Sequence, residues 1–135
     1  MARIDWNASL SVGVESVDEQ HKKLIALINR LDDVVAAGKE RETLAQVFKE
    51  VIHYTGYHFS TEERFMEQTR FAGTVAHKTE HQRFVDKVFA LHRDFIAGKV
   101  MITMEITSFL KDWVAGHIQG TDKKYSATFI EQGIK

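Results

Sequence analysis

Apolar residues recur at three- and four-residue steps in four runs along the chain, with short polar stretches between them. Leu24, Ile28, Leu31 and Val35 mark the first run, and Leu44, Phe48, Val51 and Phe65, with Thr55 in phase, the second. Phe84, Val88, Leu91 and Phe95 form the third, and Ile106, Phe109 or Leu110 and Trp113 the fourth. That period is the signature of an amphipathic helix. It predicts helices over residues 18–38, 41–68, 75–97 and 103–119. Proline, which would break such runs, is absent. Ser16-Val17-Asp18-Glu19 has the spacing of a capping box, which starts the first helix just after Ser16. Gly38 suits its C-terminal cap, and the third helix stops near Gly98.

Residues 1–17 have no helical period and carry Trp6 and Gly13, which reads as an irregular arm packed on the body. Beyond Gly120 the chain resumes as a short helical tail around Tyr125 and Phe129. Short connections between amphipathic helices make neighbours antiparallel. The expected fold is therefore all-α: an antiparallel up-down-up-down four-helix bundle with an irregular N-terminal arm and a short C-terminal helical tail. Residues 1–135 are read as a single domain, without internal repeat or linker.

Charge and composition narrow the function classes. A net charge of −1 provides no basic field for nucleic acid or an anionic membrane. The beginning of the chain lacks the apolar core of a signal peptide, and no run approaches membrane-spanning length. A cytoplasmic location is the expectation. Without cysteine, any metal must be held by nitrogen and oxygen.

The helical phase brings in chemistry. His58 and Glu62 are four apart and stack on one helix face, and His77 and His81 repeat that spacing. His21 stands near the start of the first helix and His117 near the end of the fourth. In an up-down-up-down bundle these positions share one end. Asp122 lies five residues past His117, out of phase for a regular helix. Gly120 between them points to a helix that loosens there and lets the carboxylate turn back. His53 and His92 fall outside the cluster and are expected to be structural or exposed. A single histidine on an apolar face is more often a hydrogen-bonded residue than a ligand. Seven such groups buried together without a metal would each need a partner, at a few kcal/mol apiece. Imidazole with a minority of carboxylate suits iron, copper, zinc or nickel. Seven protein ligands are too many for one ion. They suit two ions if Glu62 and Asp122 bridge, an arrangement that leaves one coordination position open.

The ordered series Asp18-x-x-His21, His58-x-x-x-Glu62, His77-x-x-x-His81 and His117-x-x-x-x-Asp122 resembles the hemerythrin family in its stand-alone bacterial form, bacteriohemerythrin. The match runs from Trp6 to Tyr125. The resemblance implies two iron ions with a bridging oxo or hydroxo oxygen. His77, His81 and His117 would hold one iron, His21 and His58 the other, and Glu62 and Asp122 would bridge. It further implies reversible binding of dioxygen as hydroperoxide at the second iron, for oxygen storage, transport or delivery. A proton passing from the bridge to the bound oxygen would keep the net charge of the buried site constant, which a low-dielectric site favours. Leu24, Phe59, Trp113 and Ile118 flank the histidines and are the candidates for an apolar oxygen pocket. A monomer that is not an enzyme is expected, with an oxygen-consuming enzyme as a recipient. The alternatives are a di-iron oxidase, peroxidase or ferroxidase, or an oxygen- or nitric-oxide-sensing module. Many relatives carry a proline before the third helix, where this chain has Arg70-Phe71-Ala72-Gly73; no ligand position is affected.

Overall fold

The computed structural model describes residues 4–135; the first three residues of the expected arm lie outside this range. Four long helices dominate: α1 (Glu15–Ala36), α2 (Arg41–Thr69), α3 (Thr74–Ile96) and α4 (Met104–Gly116). A short helix, α5 (Ser126–Glu131), closes the chain, and there are no strands among the described residues. The fold is an all-α four-helix bundle, as the periodicity predicts.

Contacts between helix ends establish their directions. Asp32, late in α1, bonds Lys111 and Thr107 of α4, whereas His21, early in α1, meets Asp122 beyond α4. Arg41 at the start of α2 reaches the Phe95 carbonyl at the end of α3. Neighbouring helices are therefore antiparallel. α1 packs on α2 and α4, and α2 on α3. Between α3 and α4 the gap is filled by rings: Phe84 stacks on Trp113 at 3.9 Å and lies 5.9 Å from Phe109. Leu24, Ile28, Leu31, Phe48, Val51, Phe84, Phe95 and Leu110 are buried in the shared core, so the predicted stripes face inward. Burial of each such side chain contributes about 1.5–3 kcal/mol, which can offset a polar cluster at one end of the bundle.

The N-terminus of α1 departs from the expected capping box. The helix begins at Glu15, and its N-cap residue, Val14, provides no side-chain bond. Ser16 lies inside the first turn and caps nothing. The Asp18 carboxylate instead turns back on the arm, accepting from the Val12 amide at 2.9 Å and the Ser11 hydroxyl at 2.6 Å. Arm residues Leu10, Val12 and Val14 are buried. Asn29 and Ile4 exchange two hydrogen bonds of 2.8 and 3.1 Å. The irregular arm is thus bound to the body by side chains of α1.

Gly38 and Gly98, at φ +65° and +78°, end α1 and α3 as expected of glycine in the left-handed region. At the end of α2 the same role falls to Arg70, at φ +56°. Phe71 and Arg70 amides close that cap on the Met66 and Glu67 carbonyls. Gly73 then leaves space for the Phe71 ring, since a Cβ there would stand 2.7 Å from it. Phe71 in turn packs edge-on against Tyr125, 6.4 Å between centroids.

The fourth helix also ends earlier than predicted. α-Helical bonding stops at Gly116; a π-helical turn follows over His117–Thr121, then a 3-10 turn over Asp122–Tyr125. A π turn takes in more residues per revolution than an α turn. It brings residues five apart toward the same side, so Asp122 faces inward with His117.

Candidate metal centre

Each element delivers its part to one end of the bundle. α1 supplies His21, α2 His58 and Glu62, α3 His77 and His81, the π turn His117, and the 3-10 turn that follows it Asp122. All seven are between 0 and 4% exposed. Their donor atoms fall into two groups, each with its atoms within 4.8 Å of one another. Glu62, His77, His81, His117 and Asp122 form the first; His21, His58, Glu62 and Asp122 form the second. The two carboxylates belong to both.

The imidazoles point Nε2 inward. Asp122 Oδ1 lies 2.9 Å from both His77 Nε2 and His117 Nε2, while Oδ2 lies 3.0 Å from His21 Nε2. One carboxylate thus presents an oxygen to each group. Glu62 Oε1 lies between them, 3.1 Å from His58 Nε2 and 3.3 Å from His81 Nε2. Three rings are held flat against aromatic neighbours: His81 on Phe59 at 3.7 Å, His117 on Trp113 at 4.4 Å and His77 on Tyr125 at 5.6 Å.

Outward-facing nitrogens find partners that the sequence pattern did not reveal. His81 Nδ1 pairs with Glu63 Oε2 at 2.9 Å, and His117 Nδ1 with Glu80 Oε1 at 2.6 Å. Glu80 also accepts from the Thr121 hydroxyl at 2.9 Å, which ties the π turn to α3. His58 Nδ1 pairs with the Gln20 side-chain oxygen at 2.8 Å. Such bonds set the tautomer that leaves Nε2 free for a ligand. Tyr125 donates its hydroxyl to Glu62 Oε2. Adjacency to a candidate ligand was the available signal for Gln20, Glu63 and Glu80, and it is a weak one.

The seven groups fit a metal centre because they satisfy one another poorly. His21 Nδ1 and Nε2, His77 Nδ1 and Nε2, Glu62 Oε1 and both Asp122 oxygens are buried without a partner in hydrogen-bond geometry. At about 1–3 kcal/mol for each unpaired atom, the total is on the order of 10 kcal/mol, comparable to the whole stability of a domain. Cations at the two foci would meet His21 Nε2, His77 Nε2, Glu62 Oε1 and both Asp122 oxygens at once.

Electrostatics agree. Burial pushes the Glu62 and Asp122 carboxyls up, but the surrounding histidines outweigh it and hold both well below the carboxylate range. Burial likewise opposes charging His21, yet the Asp122 and Glu62 carboxylates raise it to about 9. The anions want positive charge beside them, and without metal it must come from protons.

A small cavity, about 10 Å³ of space for the centre of a water-sized molecule, adjoins the second group. Leu24, Phe59, Trp113 and Ile118 all line it, together with His21, His58, His117 and Asp122, and with Val114, which the sequence reading missed. The largest concavities are elsewhere. One of about 490 Å³ is an open trough between α1 and α2 that contains no candidate ligand. His53 lies in that trough, exposed, and His92 packs edge-on against Phe48, so both stand apart from the cluster.

Comparison with known proteins agrees with this geometry. The family model of the hemerythrin HHE cation binding domain matches residues 12–129. A bacteriohemerythrin of Methylococcus capsulatus is 33% identical over 126 residues, covering 93% of this chain and 95% of that protein. One of Stenotrophomonas maltophilia is also 33% identical over 126 residues, covering 93% and 81%. A hemerythrin-like protein of Naegleria gruberi is 35% identical over 121 residues, covering 90% and 89%. The crystal structure of a wild-type hemerythrin superimposes with a TM-score of 0.91 at 32% identity, covering 94% of this chain and 98% of the other. The chain belongs to the hemerythrin family, and its cluster of histidine, glutamate and aspartate suits a di-iron protein.

Proposed function

We propose that this protein binds dioxygen reversibly at two iron ions sharing an oxo or hydroxo bridge, and serves as an oxygen store or carrier rather than an enzyme. His77, His81 and His117 would hold one iron, His21 and His58 the other, and Glu62 and Asp122 would serve both. When bound, the iron pair supplies the electrons that dioxygen takes up and returns.

The observation that carries the reading is the small cavity on the His21–His58 side. Its space is on the order of one water-sized molecule, which supports a ligand of a few atoms rather than an organic substrate. Beyond the candidate ligands its walls are Leu24, Phe59, Trp113, Val114 and Ile118. No hydroxyl, lysine or further carboxylate lines it, so no side chain there can act as the general acid or base of an oxidase. These residues bind, exclude water and leave the chemistry reversible. A ligand set with more histidine than carboxylate also stabilises high-valent iron less than a carboxylate-rich one, which favours binding over oxidation.

The test is the absorption spectrum of the iron-loaded protein through cycles of oxygen addition and removal. A visible band that appears and disappears without loss over repeated cycles is expected. Irreversible bleaching on the first exposure would replace the carrier with an oxidase.

A further inference from the structure

The two donor groups share Glu62 and Asp122 but differ in what surrounds them. The first adds three imidazoles, the second two. In the first, His81 and His117 each donate Nδ1–H to an anionic oxygen, from Glu63 at 2.9 Å and Glu80 at 2.6 Å. A carboxylate behind an imidazole raises its basicity and orients it, and loss of such a partner typically weakens metal binding about 10–100-fold. In the second group, His58 has only the neutral amide oxygen of Gln20, and His21 Nδ1, like His77 Nδ1 of the first, has no hydrogen-bond partner.

Packing follows the same division. His77, His81 and His117 are each stacked on an aromatic ring. His21 and His58 meet each other edge-on at 4.4 Å, and both border the cavity through which a small molecule would approach, which His117 alone of the other three imidazoles reaches. Donor number, donor strength, rigidity and access all favour the first position.

We propose that the two metal positions are held with unequal strength and empty in a fixed order, the His21–His58 position first. The chain then persists as a one-iron form held by His77, His81 and His117, and its second position accepts a different divalent cation. This rests on the di-iron reading above. Glu63, Glu80 and Gln20 are the positioning residues that set the order.

The experiment is anaerobic release of iron from the ferrous-loaded full chain into an excess of a ferrous-chelating dye. Two phases of equal amplitude are expected, one iron each. Glu63→Gln should speed the slow phase about tenfold or more and leave the fast phase unchanged. Gln20→Glu should slow the fast phase alone. Glu80→Gln should act as Glu63→Gln does, but Glu80 also holds Thr121 of the π turn, so Glu63→Gln, which removes the carboxylate behind His81 without touching that turn, is the cleaner variant. Helical circular dichroism confirms that each variant is folded. Zinc added after the fast phase should give one zinc and one iron per chain by elemental analysis. Release of both irons in a single phase, or an effect of Glu63→Gln on the fast phase only, would overturn the order while leaving the di-iron reading intact. Fewer than two irons per loaded chain would overturn both.

Discussion

Tyr125 donates its hydroxyl hydrogen to Glu62 across the bundle, from the turn that begins at Asp122 to the carboxylate on α2. One short segment therefore governs both shared carboxylates: Asp122 opens it and Tyr125 restrains Glu62 from its end. The ring is also packed on Phe129 at 4.1 Å and on His77 at 5.6 Å, so Tyr125→Phe removes the donor and keeps the packing. A hydrogen bond to an ionised group is worth about 1.5–3 kcal/mol. For a chain of this size the melting temperature of the metal-free protein should fall by about 5–10 °C. The fall should be smaller with iron bound, because a metal on Glu62 replaces part of what the hydroxyl supplies. Thermal melts with and without iron check this, and equal melts for variant and parent in both states would remove the role given to Tyr125.

The sharing of Glu62 and Asp122 between the two groups leads to an iron count. Glu62→Ala or Asp122→Ala deletes a donor from both positions at once, so neither variant should retain two irons after desalting. His77→Ala should abolish or severely weaken the oxygenated spectrum. His53→Ala and His92→Ala should leave it unchanged, since one is exposed in the α1–α2 trough and the other packs on Phe48. A loss with His53→Ala as large as with His77→Ala would contradict the placement of the centre.

The seven clustered side chains were legible in the sequence because they continue apolar stripes, and helical phase forces such positions into the interior. The loosened end of the fourth helix was legible for a different reason. His117 and Asp122 could both be inward only if the turn between them widened, and the π turn does this. The supporting residues were hidden. Glu63 and Glu80 are partly exposed, and in sequence they look like solvated charges beside a ligand. Whether such a carboxylate bends onto a buried imidazole depends on the spacing of α2, α3 and α4, which periodicity does not encode. Ser16 and Glu19 satisfy the capping-box pattern, yet α1 starts before them, at Glu15. Tertiary contacts of the arm claim Asp18 and extend the helix to Glu15.

Arg70 offers a stabilising change remote from the chemistry. Its φ of +56° places a residue with a Cβ where glycine is favoured, at the cap that ends α2. The left-handed conformation costs a non-glycine residue about 1–2 kcal/mol, part of which glycine gives back in unfolded-state entropy. Arg70→Gly should therefore raise the melting temperature by a few degrees, about 0.5–1 kcal/mol, with iron content unchanged. A lower melting temperature would show that the arginine side chain stabilises the connection by more than the strain costs.

Acidity should act on the metal-free and metal-bound chains in opposite ways. In the metal-free chain, burial opposes protonation of His21, but Asp122 and Glu62 raise it to about 9, above its ordinary value near 6.5. The stability from this raised pKa is fully present below about pH 6.5 and is lost as pH rises through about 9, on the order of a few kcal/mol. Metal binding requires the neutral ring, so it releases that proton and strengthens over the same interval. Urea denaturation of the metal-free chain at pH 6, 7.5 and 9 should show falling stability, while metal affinity measured in parallel should rise. Stability that rises with pH in the metal-free chain would show that His21 is neutral there.

The pocket walls give the most direct test of how the protein keeps oxygen binding reversible. Leu24 and Ile118 are 2% and 1% exposed, and both border the cavity beside His21 and His58. Leu24→Ser and Ile118→Ser add a hydroxyl and enough space for water where the wall is now apolar. Neither side chain is a candidate ligand, so iron content should stay near two per chain. Oxygen should still bind at first. Water or a hydroxyl within reach can deliver a proton and let the reduced oxygen leave, stranding both irons in the ferric state. Each 1.36 kcal/mol of barrier is tenfold in rate, so modest solvation of the departing oxygen should quicken decay on the order of tenfold. Loss of most of a buried leucine also costs about 2–5 kcal/mol of stability. Stopped-flow absorbance below the onset of unfolding separates faster autoxidation from simple loss of fold. Parental decay rates in both variants, with full iron, would show that Leu24 and Ile118 do not guard the site.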